Sequence, residues 1–125
     1  MLYWLLTFAY MGVIFYLSSS PHPPMPPPFP LGDKVGHAVA YFVLGALLRR
    51  ALRGTGRGKW QGFAASVMIG VLYGGLMEWY QSRLSYRSCE WGDMIANALG
   101  VTMGVIVCQR WLKNYHLQPR LKSKV

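Results

Sequence analysis

Acid is what this sequence has least of. Against 13 lysines and arginines it carries 4 aspartates and glutamates, and charged residues of both signs fill only 14% of its 125 positions. Soluble domains carry about 25%. With 53% hydrophobic residues, the chain has too little polar surface to wrap a water-facing globule. A membrane protein is the first reading; the alternative, a small basic soluble domain, would have to cover four separate apolar runs in one core. Cysteine is scarce as well. Cys89 and Cys108 offer neither a metal-ligand spacing nor a disulfide framework. At ~1.5 Å per helical residue, Cys108 would lie about 22 Å below residue 93 and out of reach of a loop cysteine. Both read as free thiols without a catalytic part. The net charge of +9 raises the possibility of nucleic acid. The cations, however, flank apolar runs and do not alternate with aromatics on a polar face, so anionic lipid is the expected partner and nucleic acid is not.

What is present is a one-domain, all-α pattern of four membrane-length segments. Residues 2–19 are apolar up to a serine cluster, with no Lys or Arg ahead of them and a proline behind, a poor context for signal cleavage. They are expected to remain as a first span. Residues 21–30 hold seven of the eight prolines and so form a stiff, extended linker in which His22 is a solvated loop residue. The second span, residues 33–50, has a short apolar stretch lengthened by charged ends that snorkel. A basic, glycine-containing loop leads to the third, residues 60–80, where Trp60 and the Trp79–Tyr80 pair mark the two interfaces. Gly70 and Gly74 stand four apart in it, a spacing that lets helices approach closely. The fourth, residues 93–112, opens on Asp93 as a cap or first-turn acid and carries Ala96, Gly100 and Gly104 as a small-residue ridge. Residues 113–125 read as a basic cytoplasmic tail with a disordered end.

The few ionisable groups are not scattered. Asp33 and His37 begin the second segment, Glu78 and Gln81 end the third, and Asp93 and Asn97 begin the fourth, so all six fall at one depth. Asp33, His37 and Tyr41 recur at i, i+4 and i+8 and share one helix face. Acids and amides inside a membrane are expensive and mark a candidate site. The cations divide between the two ends. Arg49, Arg50, Arg53, Arg57 and Lys59 lie with Arg110, Lys113, Arg120, Lys122 and Lys124, whereas Lys34, Arg83 and Arg87 lie opposite. By the positive-inside rule both termini are expected in the cytoplasm (N-in/C-in), with the polar cluster facing outward.

Three pieces then form a pattern: DKVGHAVAYFVLG at residues 33–45, EWYQ at 78–81, and RSCEWGDMIANALG at 87–100. Together they resemble the VanZ-like family of small bacterial membrane proteins, which shows D-K-x-x-H-x-x-x-Y, then E-x-x-Q, then R followed by D-x-x-x-N and G. The resemblance covers about two thirds of the chain and is carried by Asp33, Lys34, His37, Tyr41, Glu78, Gln81, Arg87, Asp93, Asn97 and Gly100. It implies a multi-pass protein of the bacterial inner membrane connected with the cell envelope, the family being named for a member associated with resistance to the glycopeptide teicoplanin. It implies no particular reaction. The loop RLSYRSC departs from the family's Pro-Gly ahead of the arginine.

Three functions are foremost on these residues, ahead of a channel or transporter oligomer, for which one such chain has too few helices to enclose an alternating-access path alone. One is an outward-facing pocket for a lipid-linked cell-wall precursor, a lipoglycopeptide or another amphiphile, lined by Asp33, Lys34, Tyr41, Gln81, Arg83, Arg87 and Asn97, with Lys34, Arg83 and Arg87 meeting an anion. A second is an enzyme on such a lipid, with Glu78 or Asp93 as general base and His37 as its acid partner. A divalent metal held by Asp33, His37, Glu78 and Asp93 belongs to this class, with magnesium or manganese favoured over zinc. The third is a scaffold for other membrane proteins in which Glu78 pairs with Arg87 and the amides bond across helices.

Overall fold

The computed structural model describes residues 1–21, 31–86 and 89–122, with residues 116–122 described as backbone only. The proline linker, Arg87 and the last three positions of the tail lie outside the described residues. Four helices form, α1 (Leu2–Ser19), α2 (Gly32–Arg53), α3 (Lys59–Ser82) and α4 (Trp91–Lys122), with no strand among the described residues. All four are long and apolar enough to cross a membrane, α4 over Trp91–Tyr115. The shortest, at 18 residues, spans roughly 27 Å, close to the ~30 Å hydrocarbon thickness. Their outward faces carry Phe8, Val39, Leu72, Ile95, Leu99 and Met103, all exposed, as lipid requires and water does not tolerate.

The bundle is organised around α2 and α4, which share its most extensive interface, while α1 packs on α2 and, less closely, on α3. Glycine sets that closeness. A Cβ at Gly100 would run into the Ala38 carbonyl, one at Gly104 into the Phe42 carbonyl, and one at Gly45 into the Val101 carbonyl. The two backbones therefore touch along three successive levels. Gly70 and Gly74 of α3 admit Val101 and Asn97 of α4 in the same way. Around these seams Tyr41, Leu44, Leu48, Met77, Val101 and Val105 form the core. Two tyrosines fasten α1 to it, Tyr10 donating to the Ala40 carbonyl at 2.9 Å and Tyr73 to the Met11 carbonyl at 2.6 Å. Thr7, Ser66 and Thr102 donate to carbonyls four residues back, which satisfies hydroxyls that no water reaches.

Two helix ends run at least three residues past the sequence reading. α2 does not end at residue 50 but runs to Arg53, because Leu48, Ala51 and Leu52 continue its buried stripe. Arg49 is consequently a buried helix residue. Its Nε donates to Gln109 Oε1 at 2.9 Å and its guanidinium crosses Gly62 of α3. Arg50 hydrogen-bonds the Tyr3 hydroxyl and lies over the Trp111 ring, 4.9 Å from its centroid. These contacts put the start of α1 and the far part of α4 at one end of the bundle, with the end of α2. The starts of α2 and α4 and the ends of α1 and α3 lie at the other. α4 continues without a break past Leu112 to Lys122.

Candidate functional site

At the end away from the termini, three helix ends bring all four acids of the chain into one cluster with Lys34 and His37. Asp33 and Asp93 stand in the first turns of α2 and α4, where a helix N-terminus favours negative charge. Lys34 reaches from α2 across Gly92 at the start of α4. Its Nζ lies 2.8 Å from Glu90 Oε2, 3.5 Å from Asp33 Oδ2 and 3.7 Å from Asp93 Oδ1. One turn deeper, His37 Nδ1 faces Asn97 Oδ1 at 3.0 Å, and Asn97 Nδ2 donates to Glu78 Oε1 at 3.4 Å. The His37 ring stands between two carboxylates, with Nδ1 3.8 Å from Glu78 Oε1 and Nε2 3.9 Å from Asp93 Oδ2.

Burial separates the cluster into two layers. Glu78 is 1% exposed and Asn97 2%, whereas Asp33 and Glu90 are exposed and the His37 side chain keeps 27% of its surface. Glu78 Oε2 and Asp93 Oδ1 are buried without a hydrogen-bond partner. In an apolar surround such oxygens are costly. The carboxylates and imidazole form two groups with the spacing of metal ligands, His37–Glu78–Asp93 inside and Asp33–Glu90–Asp93 outside. The four-residue metal set of the sequence reading is therefore divided, Asp33 falling in the outer group. There the Lys34 ammonium already stands in the place of a cation.

A match to the family described as VanZ/LLP1 covers residues 3–113. The chain belongs to the VanZ/LLP1 family. No curated protein and no solved structure matches it. In this VanZ/LLP1 protein, the motif residues Asp33, Lys34, His37, Glu78, Asp93 and Asn97 gather in the cluster. The others separate. Tyr41 is buried beneath it, its ring 6.4 Å from Tyr73 and against Gly74. Gln81 is buried toward α1, its Nε2 3.5 Å from the Ser18 carbonyl. Arg83 is exposed and lies over the Trp79 ring, 5.1 Å from its centroid. Arg87, with its pairing to Glu78, falls outside the described residues.

Two residues of this VanZ/LLP1 site were assigned no role from the sequence. Glu90 is the closest partner of Lys34, and its only signal was being an acid in an acid-poor chain. Cys89 is exposed, yet its thiol is in hydrogen-bonding reach of the Glu78 carboxylate. Desolvation first, then the Glu78 charge, push its pKa up, so Cys89 is a thiol at neutral pH and not a nucleophilic thiolate. The anion-binding trio also changes character. Lys34 is held by three carboxylates and Arg83 by an indole, which leaves the described cluster acidic.

Proposed function

We propose that this VanZ/LLP1 protein binds a lipid-linked or amphiphilic molecule of the bacterial cell envelope at the polar end of its bundle. The tail lies along the apolar outer faces of the helices, and the head group enters between His37, Glu78, Asp93 and Asn97. One observation carries the reading: an imidazole and two buried carboxylates from three helices meet at one depth, and each carboxylate keeps an oxygen without a hydrogen bond, that of Asp93 facing the Lys34 ammonium at 3.7 Å and that of Glu78 buried. Buried acceptors of this kind are stabilised by a donor or a cation brought to them. A head group at the lipid–water boundary supplies hydroxyl and amide donors, and the part-exposed His37 ring marks its way in.

Charge supports an outward-facing site in the inner membrane. The end opposite the cluster bears Arg49, Arg50, Arg53, Arg57, Lys59, Arg110 and Lys113, a bias that faces the cytoplasm in multi-pass proteins. Lipid-linked cell-wall precursors and glycopeptides such as teicoplanin act at the outer face, and altered teicoplanin susceptibility is the expected readout in cells. The test is native mass spectrometry of the full chain extracted from bacterial membranes. Wild type is expected to retain an amphiphile that Glu78→Gln and Asp93→Asn lose at unchanged melting temperature. Equal retention by all three proteins overturns the reading.

The same triad supports a catalytic version, because the His37 ring lies 3.8 Å from the Glu78 carboxylate and 3.9 Å from that of Asp93. Glu78 or Asp93 would take a proton from the bound molecule, and His37 would return one. Losses in Glu78→Gln, Asp93→Asn and His37→Gln would then fail to add, as members of one unit do not contribute independently.

A further inference from the structure

We propose that His37, Glu78 and Asp93 hold one divalent transition-metal ion, manganese or zinc, through His37 Nε2 and one oxygen of each carboxylate. The hydrogen bonds around the ring support this independently of the clustering of acids. Asn97 Nδ2 donates to Glu78 Oε1, so its Oδ1 is the acceptor that faces His37, and Nδ1 of the ring must carry the proton it donates there at 3.0 Å. In the neutral ring that leaves Nε2 as a lone pair, and it faces Asp93 Oδ2 at 3.9 Å. Two acceptors turned toward each other across that gap call for a cation between them.

A separation of 3.9 Å lets both atoms reach one ion at the ~2.0–2.2 Å of metal–nitrogen and metal–oxygen bonds. Glu78 adds the third ligand. It is 1% exposed, its Oε2 lacks a hydrogen-bond partner, and one of its oxygens, one nitrogen of His37 and one oxygen of Asp93 lie within 4.8 Å of one another. Donation of Nδ1–H to an amide carbonyl is what orients a ligating histidine in metalloproteins, and Asn97 does this here. One imidazole with two carboxylates favours manganese or zinc over magnesium and calcium, which prefer oxygen alone. The outer group is excluded by Lys34, whose ammonium occupies it.

Such an ion would explain how an acidic pocket accepts an anionic head group, since a phosphate oxygen can complete the metal's coordination where carboxylates alone would repel it. That role rests on the binding reading above, whereas the ion's presence does not. The experiment therefore uses metal alone. Full-length protein in uncharged detergent, free of affinity tag and stripped with chelator, is titrated with Mn²⁺ by electron paramagnetic resonance and with Zn²⁺ by competition. One ion per chain is expected, with affinity at least tenfold weaker in His37→Gln and in Asp93→Asn and unchanged in Arg57→Gln, an exposed position at the opposite end of the bundle. Circular dichroism and melting establish that each variant is folded, and an unfolded variant is replaced by His37→Asn or Asp93→Ser. No stoichiometric binding of either ion to folded wild type overturns the proposal. Binding that survives the folded His37 and Asp93 variants overturns it equally. Metal binding by a wild type that retains no amphiphile would remove the head-group reading and leave the ion.

Discussion

Asn97 donates its side-chain amide to Glu78 across the α3–α4 interface at 3.4 Å and thereby fixes which way its carbonyl turns. The carbonyl meets His37 of α2, so one buried amide joins three helices. Asn97→Ala leaves a buried carboxylate and an imidazole N–H each short of a partner, at about 1–3 kcal/mol for an unsatisfied buried group. A fall in melting temperature in detergent is expected, larger for Asn97→Asp, which sets a new carboxylate beside Glu78. Equal melting of wild type and Asn97→Asp would show that the amide bridges nothing.

The close α2–α4 seam predicts a sharp difference among glycines. Gly100→Ala and Gly104→Ala place a methyl group against the Ala38 and Phe42 carbonyls, backbone that cannot swing aside. Overpacking of that kind costs about 1–3 kcal/mol, and the α2 groups of the site shift with the helix. Gly36→Ala and Gly75→Ala meet nothing within 4 Å and are expected to be neutral or slightly stabilising through helix propensity. Melting curves of the four variants check the contrast.

Arg49 predicts an asymmetry at the opposite end. The residue is 7% exposed and its described hydrogen-bond partner is the neutral Gln109, since all four acids of the chain belong to the far cluster and its loop. Arg49→Met removes a buried charge with no carboxylate to pair it, and such exchanges are neutral or stabilising. Gln109→Leu keeps the charge and takes away its acceptor, so it is expected to lower stability by about 1–3 kcal/mol. The comparison is made by thermal unfolding in uncharged detergent. The reverse order would mean that Arg49 is held by more than Gln109.

Most of the architecture was legible because a membrane helix must be long, apolar and bounded. Runs of about 20 apolar residues, punctuated by proline, glycine and basic loops, define four elements without any tertiary knowledge. The polar end was legible for a related reason: acids placed at the start of α2, the end of α3 and the start of α4 share a depth whatever the packing. Which groups pair at that depth was not legible. Lys34 and Glu90 are 56 positions apart, and nothing local says that the lysine will be held by carboxylates instead of standing free for an anion. Asn97 reads as an ordinary interhelical amide until α2 is known to lie against α4. Glycine spacing announces close approach but not the helix approached.

Membrane orientation is tested at the loops. With both termini in the cytoplasm, an impermeant maleimide added to intact cells modifies Cys89 and cysteines placed at Ser20 or Ser82. It leaves those at Thr55 or Ser123 untouched until the cells are opened. Modification of Thr55→Cys alone in intact cells would invert the orientation.

The rate of that labelling carries a further prediction, because Cys89 reports on Glu78. Maleimide reacts with the thiolate, and desolvation followed by the Glu78 and Asp93 charges raises the Cys89 pKa above the ordinary thiol value. A raised pKa means less thiolate at any pH below it. The pH–rate curve of Cys89 is thus expected to lie to the alkaline side of that of a cysteine placed at Ser85, an exposed loop position. Glu78→Gln removes the nearer charge and should move the curve back toward acid, while the desolvation part remains, so recovery is partial. Glu90→Gln alters a carboxylate that pairs with Lys34 and is expected to move it less. Stopped-flow labelling of purified protein between pH 6 and about 10, near the ordinary thiol range, gives the three curves. Coincident curves for wild type and Glu78→Gln would mean that the Cys89 thiol does not approach that carboxylate.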